Sequence, residues 1–441
     1  MHILFVHTAL PGVRFNSSIA ALSAWLRQHG HRTSLLVVPE GVDEERLRDA
    51  LGRTAAEVVA LSFMSACEDL ARRVAAAARA ALPGARIVAG GAHPTMYPVA
   101  TLDTFDVDAL CVGEGEEPLR AWIEDPSTAH AGILRRGASD PLVRWWAPDV
   151  DALPDWDRSL FGEARNEGNR YEVAVGVAFA RGFCPYTCTF CGVDAYRRAN
   201  QQPTKGAMRH RTPERVISEM EALRTTHRLP VGFAAWDEIL PVERGWMARF
   251  APLYRERVGV PLAAHARIEQ VRPAMVELLV TAGCDYLVLG IETGDEAYRA
   301  RFLDKHFTND DVREAFGLLR AAGISTFASF MLGLPYETPQ MLAATVRLAR
   351  EIRPTSLSWK YYTPERGTRL FELVRDRGLL IDRYVDHPFG AREPMIELRG
   401  CTRADVQRAE RALVMLRDEL GGEEATYARM PSDTITLEHR T

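Results

Sequence analysis

The chain has 441 residues, with 54 Lys+Arg against 59 Asp+Glu, a formal net charge of −5, 47% hydrophobic and 26% charged residues. That balance belongs to an ordinary globular protein and excludes disordered, collagen-like and disulfide-scaffold chains. The weak acidic excess argues against a dedicated nucleic-acid binder, which usually carries a strongly basic domain.

No apolar run approaches the ~18–20 residues of a membrane span. The length fits about two to three domains at roughly 150 residues each. The N-terminal Met-His-Ile-Leu-Phe-Val-His has neither a basic n-region nor a small-residue cleavage site. It reads as a buried first strand rather than a signal peptide, and the expected compartment is the cytoplasm, where thiols stay reduced.

Taken in chain order, an apolar run at 2–7 is followed by a helix over 17–29, with Ile19, Leu22, Trp25 and Leu26 on one face. Asn16, Ser17 and Ser18 precede it, and Ser17 is the expected cap. Strands at 33–38, 58–63, 86–89 and 109–112 alternate with helices at 44–51 and 68–81 and one carrying Pro118 near its start. Short apolar strands alternating with helices predict an open parallel sheet. Such sheets bind ligands at the carboxyl ends of their strands. Ser62 and Ser65, Gly90-Gly91 with His93, and Gly113-Glu114-Gly115 stand at those ends. Glycine pairs there permit positive φ and close backbone approach.

Residues 126–170, with Pro126, Pro141, Pro148 and Pro154, read as a connector. A second alternation places strands at 172–179, 231–235, 262–266, 286–291, 325–331 and 356–360. Six strands with five crossovers predict a partial (β/α)6 barrel with its chemistry at the C-terminal strand ends. The tail from 367 reads as mainly helical, with frayed last residues. The fold class is therefore α/β, divided as 1–125, 126–170, 171–366 and 367–441.

Seven cysteines fit no closed disulfide framework. Cys67, Cys111, Cys284 and Cys401 are scattered, whereas Cys184, Cys188 and Cys191 follow the first barrel strand in C-x3-C-x2-C spacing. Three neighbouring thiolates hold a soft metal centre. Zinc would need a fourth ligand, and the nearest in sequence is His210. A four-iron cluster on three cysteines leaves one iron open, which suits catalysis.

The triplet, with Phe190 before its last cysteine and Gly192 after it, resembles the radical SAM superfamily. The resemblance implies a [4Fe-4S] cluster on Cys184, Cys188 and Cys191 whose open iron chelates S-adenosylmethionine (SAM). Trp236-Asp237-Glu238 matches the second-strand acidic position near the SAM amino group, and Arg267 ends the third strand. Leu289-Gly290-Ile291-Glu292-Thr293-Gly294 is similar to the fourth-strand signature whose Glu faces SAM. Gly333-Leu334-Pro335-Tyr336-Glu337-Thr338 resembles the fifth-strand pattern whose backbone packs on adenine. In Tyr362-Thr363-Pro364-Glu365-Arg366-Gly367-Thr368, Arg366 replaces the second proline of the sixth-strand pattern.

The glycine-bearing turns upstream of the triplet resemble the Rossmann-like cobalamin-binding domain of the B12-dependent subclass, a likeness covering most of residues 1–365. The D-x-H-x-x-G pattern that gives cobalt a histidine is missing; Asp386-His387-Pro388-Phe389-Gly390 has the wrong spacing. The implied cobalamin is base-off without a histidine lower ligand, and His93 is a turn or pocket residue. The family's chemistry then implies hydrogen abstraction by a 5′-deoxyadenosyl radical and methyl transfer from methylcobalamin to a small molecule. An electron donor such as flavodoxin or ferredoxin is implied too. The alternatives are a non-methylating cobalamin-binding radical enzyme and a zinc-stabilised cobalamin carrier. Trp359, Tyr361 and Tyr362 line either a pocket or the core.

Overall fold

Residues His2–Ala9 form β1, whose side chains divide by period two between both faces of a sheet. Ile3 and Phe5 enter one apolar cluster, Leu4 and Val6 the other. A strand buried on both faces must be central. In this computed structural model, the described residues are 1–9, 15–137, 142–162, 174–206, 208–226, 232–241, 243–381, 391, 393–421 and 438–441. They form two compact units: Met1–Ala164 with Arg198–Gln202 and Met430–Thr441, and Arg165–Arg197 with Pro203–Arg429.

In the first unit, β1 pairs in parallel with β2 (Arg32–Pro39) and β3 (Val58–Ser62). Next come β4 (Arg86–Gly90), β5 (Ala109–Cys111) and β6 (Ile133–Arg135). The order 2-1-3-4-5 is doubly wound, with its topological switch between β1 and β3.

Three expectations change here. The stretch 126–170 contributes β6, antiparallel to β5, and buries Leu160 and Phe161 in this unit's core. The last residues are not frayed: Glu438–Arg440 pair antiparallel with β2. Exposed edge strands leave unpaired N–H and C=O groups, and both flanks of this sheet are covered by such a strand. Finally, Asn16 rather than Ser17 caps the helix Ser17–Gln28, its Oδ1 accepting the Ile19 N–H at 3.0 Å.

The second unit holds β7 (Ala174–Val177), an antiparallel ribbon of β8 (Ala180–Gly182) and β9 (Met208–His210), then β10 (Gly232–Ala235), β11 (Leu262–Ala266), β12 (Cys284–Glu292), β13 (Ser325–Leu332) and β14 (Ser356–Tyr361). Strands β7 and β10–β14 form one parallel sheet in sequential order, the predicted α/β partial barrel. Its helix-facing side carries the largest core, which the C-terminal helix Arg403–Glu419 completes with Val406, Ala409, Leu413 and Leu416. Trp359 and Tyr361 pack against that core, and Tyr362 is fully buried, which settles them as packing residues. Residues 386–390, considered above for cobalt ligation, lie outside the described residues.

Candidate active site

The cysteine loop, residues 183–191, leaves the β8–β9 ribbon and ends where the helix Gly192–Ala199 begins. Its shape is imposed from three sides. The Asp237 carboxylate, just beyond β10, accepts the Phe179 N–H at 2.7 Å and the Ala180 N–H at 2.9 Å. Thr187 donates to Asp304 at 2.8 Å, and the Thr189 N–H donates to the Leu303 carbonyl at 3.2 Å. Leu370 N–H donates to the Thr189 carbonyl at 2.9 Å. Phe190 packs into the apolar cluster of Leu334, Tyr298 and Tyr362. A Cβ at Gly192 would meet the Glu365 carboxyl group, which would have to move aside.

All three thiols are half-buried and unpaired with one another. Burial pushes Cys184 up to about 11 and Cys191 up to about 12, with Glu238 adding repulsion at Cys184. Cys188 accepts a hydrogen bond from Arg267 Nη1 at 3.0 Å. That guanidinium also lies 3.9 Å over the Tyr186 ring and pairs with Glu269 at 2.6 Å. A cubane cluster binds each thiolate through a different iron, so its ligands need to share a loop, not converge on one point. The loop provides that arrangement, and the donor set fits a [4Fe-4S] cluster. Among the described residues no group of three or more His, Cys, Asp or Glu could hold a single metal ion. His210, the nearest candidate fourth zinc ligand, instead sits 6.1 Å from the Trp246 ring and 3.7 Å from Glu243.

The other strand-end candidates divide between frame and face. Both Asp237 oxygens are engaged by backbone, and burial lifts its carboxyl to about 7, so it braces the loop's root. Its neighbour Glu238 is exposed. Glu292 stands at a register shift between β12 and β13 with φ +70, and its carboxylate pairs with the buried Lys305 at 2.9 Å. Lys305 also donates to the Gly290 carbonyl at 2.6 Å. Sequence spacing gave no hint of Lys305, which arrives thirteen residues later across the helix Glu296–Leu303.

Gly333-Leu334-Pro335-Tyr336-Glu337 closes on itself. Gly333 and Leu334 N–H donate to Glu337 Oε2 at 2.8 and 3.2 Å, and Tyr298 donates to the Pro335 carbonyl at 2.7 Å. Gly333 has φ +74. Burial raises Glu337 to about 8 and leaves its Oε1 without a hydrogen-bond partner. Arg366 is exposed ahead of Gly367, which has φ +87.

In the first unit, the strand-end residues follow the carboxyl ends of β3, β4 and β5, all on one side of the topological switch. Gly91 has φ +97, and a Cβ there would lie 2.8 Å from the Phe63 carbonyl oxygen. A Cβ on Gly90 or Gly115 would press on Cys111, at 3.1 and 3.0 Å. The Gly113 N–H donates to Thr95 Oγ1 at 3.0 Å, and the buried Glu114 accepts the Ala147 N–H at 2.8 Å. These glycines therefore serve close packing within the chain itself. His93 is buried, stacks 5.4 Å from Phe63, and its Nδ1 lies 3.1 Å from Ser65 Oγ. His93 is thus held within the packing of this unit. Ser62 ends β3 on the same side, where its Oγ lies 3.2 Å from the position a Gly91 Cβ would take.

Family comparison agrees with both halves. The B12 binding domain family matches residues 5–123, and the radical SAM superfamily matches residues 181–349. The chain is 27% identical over 438 residues to the anaerobic magnesium-protoporphyrin IX monomethyl ester cyclase of Cereibacter sphaeroides, covering 92% of this chain and 68% of that protein. It is 23% identical over 308 residues to an uncharacterized methyltransferase of Pyrococcus horikoshii, covering 67% and 64%. Among solved structures, the radical SAM methyltransferase TsrM from Kitasatospora setae, with cobalamin and a [4Fe-4S] cluster bound, shares the fold. The TM-score is 0.66 at 15% identity, over 94% of this chain and 90% of that one. Among the described residues no helix is long and apolar enough to cross a membrane.

Proposed function

The chain belongs to the cobalamin-dependent radical SAM enzymes, and from that premise we propose that it methylates an unactivated carbon of a small molecule. The supporting observation is one polypeptide that joins a cobalamin-type sheet to a three-thiol loop with the right donor set for an open-iron cluster. When bound, the cluster with SAM supplies a 5′-deoxyadenosyl radical, and methylcobalamin supplies the methyl group.

This chain's residues bind and orient. Cys184, Cys188 and Cys191 hold the cluster, and Arg267 orients the Cys188 sulfur. Glu238 faces the SAM amino group, Glu292 faces SAM, and the Gly333–Pro335 backbone packs on its adenine. Ser62, Ser65, Gly90, Gly91, Gly113, Glu114 and Gly115 frame the cobalamin tail. His93 is committed to Ser65 and Phe63, which favours cobalamin bound base-off, without a histidine ligand. A flavodoxin or ferredoxin supplies the electron, in the cytoplasm.

A second reading is favoured by the cyclase relative: radical chemistry without methylation. Anaerobic turnover with labelled SAM separates the two. A methylase forms S-adenosylhomocysteine and 5′-deoxyadenosine in equal amounts, with label in the product. Stoichiometric 5′-deoxyadenosine without S-adenosylhomocysteine would establish the non-methylating reading.

A further inference from the structure

The side of the second unit's sheet turned away from the helices is not packed shut. Along β13, Thr326, Ala328, Phe330 and Leu332 are buried, whereas Phe327, Ser329 and Met331 remain partly exposed. A closed (β/α) barrel fills this space with bulky branched side chains. Here the filling stops at a floor of Ala234, Ala263, Tyr286, Val288 and Phe327, with the Tyr286 hydroxyl 3.2 Å from Ser356 Oγ.

Two chemistry-bearing residues share that face, His265 level with Val288 and Phe327 and Lys360 nearer the carboxyl ends of the strands. His265 lies two residues beyond Ala263 and two before Arg267, so period-two geometry puts all three on one side of β11. It is exposed in mid-strand, yet enclosed enough that burial lowers its pKa from 6.5, which keeps the ring neutral near pH 7. A neutral imidazole carries one acceptor nitrogen, so His265 can receive a hydrogen bond from a ligand. Lys360 lies four residues beyond Ser356 on β14. Its neighbours Trp359 and Tyr361 turn to the helix side, where Trp359 Nε1 is 3.4 Å from Glu410, so Lys360 turns inward. Lys360 is exposed and makes no hydrogen bond or ion pair among the described residues. The pairing sets His265 level with Val288, Phe327 and Ser356, so Lys360 stands three strands across, about 14 Å at ~4.8 Å per strand, and four residues further along, about 13 Å at ~3.3 Å per residue. Arg267, one step above His265, is the residue that touches Cys188.

We propose that this inner face selects a small organic acid with a hydrogen-bond donor at its far end. Its acid group pairs with Lys360, its donor bonds the acceptor nitrogen of the neutral His265, and its apolar middle lies along Val288 and Phe327. This deepens the proposed function, naming the substrate class for the same site.

The test is equilibrium binding by calorimetry to the anaerobically reconstituted full chain, with 3-(4-hydroxyphenyl)propanoate as probe. Its amide lacks the charge, and 3-phenylpropanoate lacks the donor. The parent acid should bind at least tenfold more tightly than either analogue. Lys360→Met should erase the preference for acid over amide and keep that for the hydroxyl, with Lys360→Arg restoring the first. His265→Leu should erase only the hydroxyl preference, and His265→Gln should keep part of it. Unchanged circular dichroism and cluster absorbance certify each variant. No binding of the acid, or discrimination that survives both substitutions, overturns the proposal. Because no turnover is needed, failed methylation with discrimination intact counts against the proposed function alone.

Discussion

In the proposed function, Arg267 would act on a cofactor that it does not ligate. Its Nη1 donates to the Cys188 sulfur at 3.0 Å, while Glu269 and the Tyr186 ring fix the guanidinium. An N–H bond to a ligand sulfur stabilises the more negative, reduced cluster. Arg267→Met should therefore leave the cluster assembled but shift its reduction potential to more negative values in an EPR-monitored redox titration. An unchanged potential would refute that role. Substituting Ala for Cys184, Cys188 or Cys191 should remove cluster absorbance and SAM cleavage together, whereas Cys401→Ala should keep both.

Glu337 makes a residue-level prediction for stability. Its folded pKa, about 8, lies above the ordinary 4.5, so the folded chain keeps a proton that the unfolded chain has lost between those values. Its contribution is present below about pH 4.5 and is lost as pH rises through about 8. Glu337→Gln, which mimics the protonated acid and keeps an acceptor for the Gly333 and Leu334 N–H groups, should be near-neutral at pH 5. At pH 8 it should raise the denaturation midpoint.

At the scale of elements, the strand ends are built as turns without spare volume. Gly91 combines φ +97 with a Cβ position 2.8 Å from the Phe63 carbonyl oxygen. Gly91→Ala should cost about 1–3 kcal/mol from the left-handed backbone alone, more from the clash. It should weaken cobalamin retention, read as co-purified corrinoid per chain. Asn16→Ala removes the cap of the helix Ser17–Gln28 and should cost about 1 kcal/mol in urea unfolding. The Asp237 carboxylate ties an element boundary too, joining the chain after β10 to the chain after β7.

At the scale of the whole molecule, the first unit needs chain from well beyond its contiguous stretch. Both edges of its sheet are covered by antiparallel strands, Ile133–Arg135 on β5 and Glu438–Arg440 on β2. Removing residues 438–441 should expose the β2 edge and lower the stability of that unit. Hydrogen exchange of the β2 amides is the measurement, and unchanged protection would show the strand to be dispensable.

Much of this was legible in order of sequence. The helix 68–81 and the six parallel strands follow from periodicity, because hydrophobic spacing is a local property of each element. The cysteine triplet was equally legible, since its ligands sit on one short loop. What the sequence alone could not decide is partnership at a distance. Spacing showed an acidic pair at the end of β10 but not that Asp237 spends both oxygens on backbone while Glu238 stays exposed. It marked Glu292 but not the lysine buried against it. Period two says that His265, Ala263 and Arg267 share a face. Only the packed sheet decides that this face stays open, because the helices cover the other one. Local geometry is written residue by residue, whereas burial and pairing depend on which distant surfaces exclude water together.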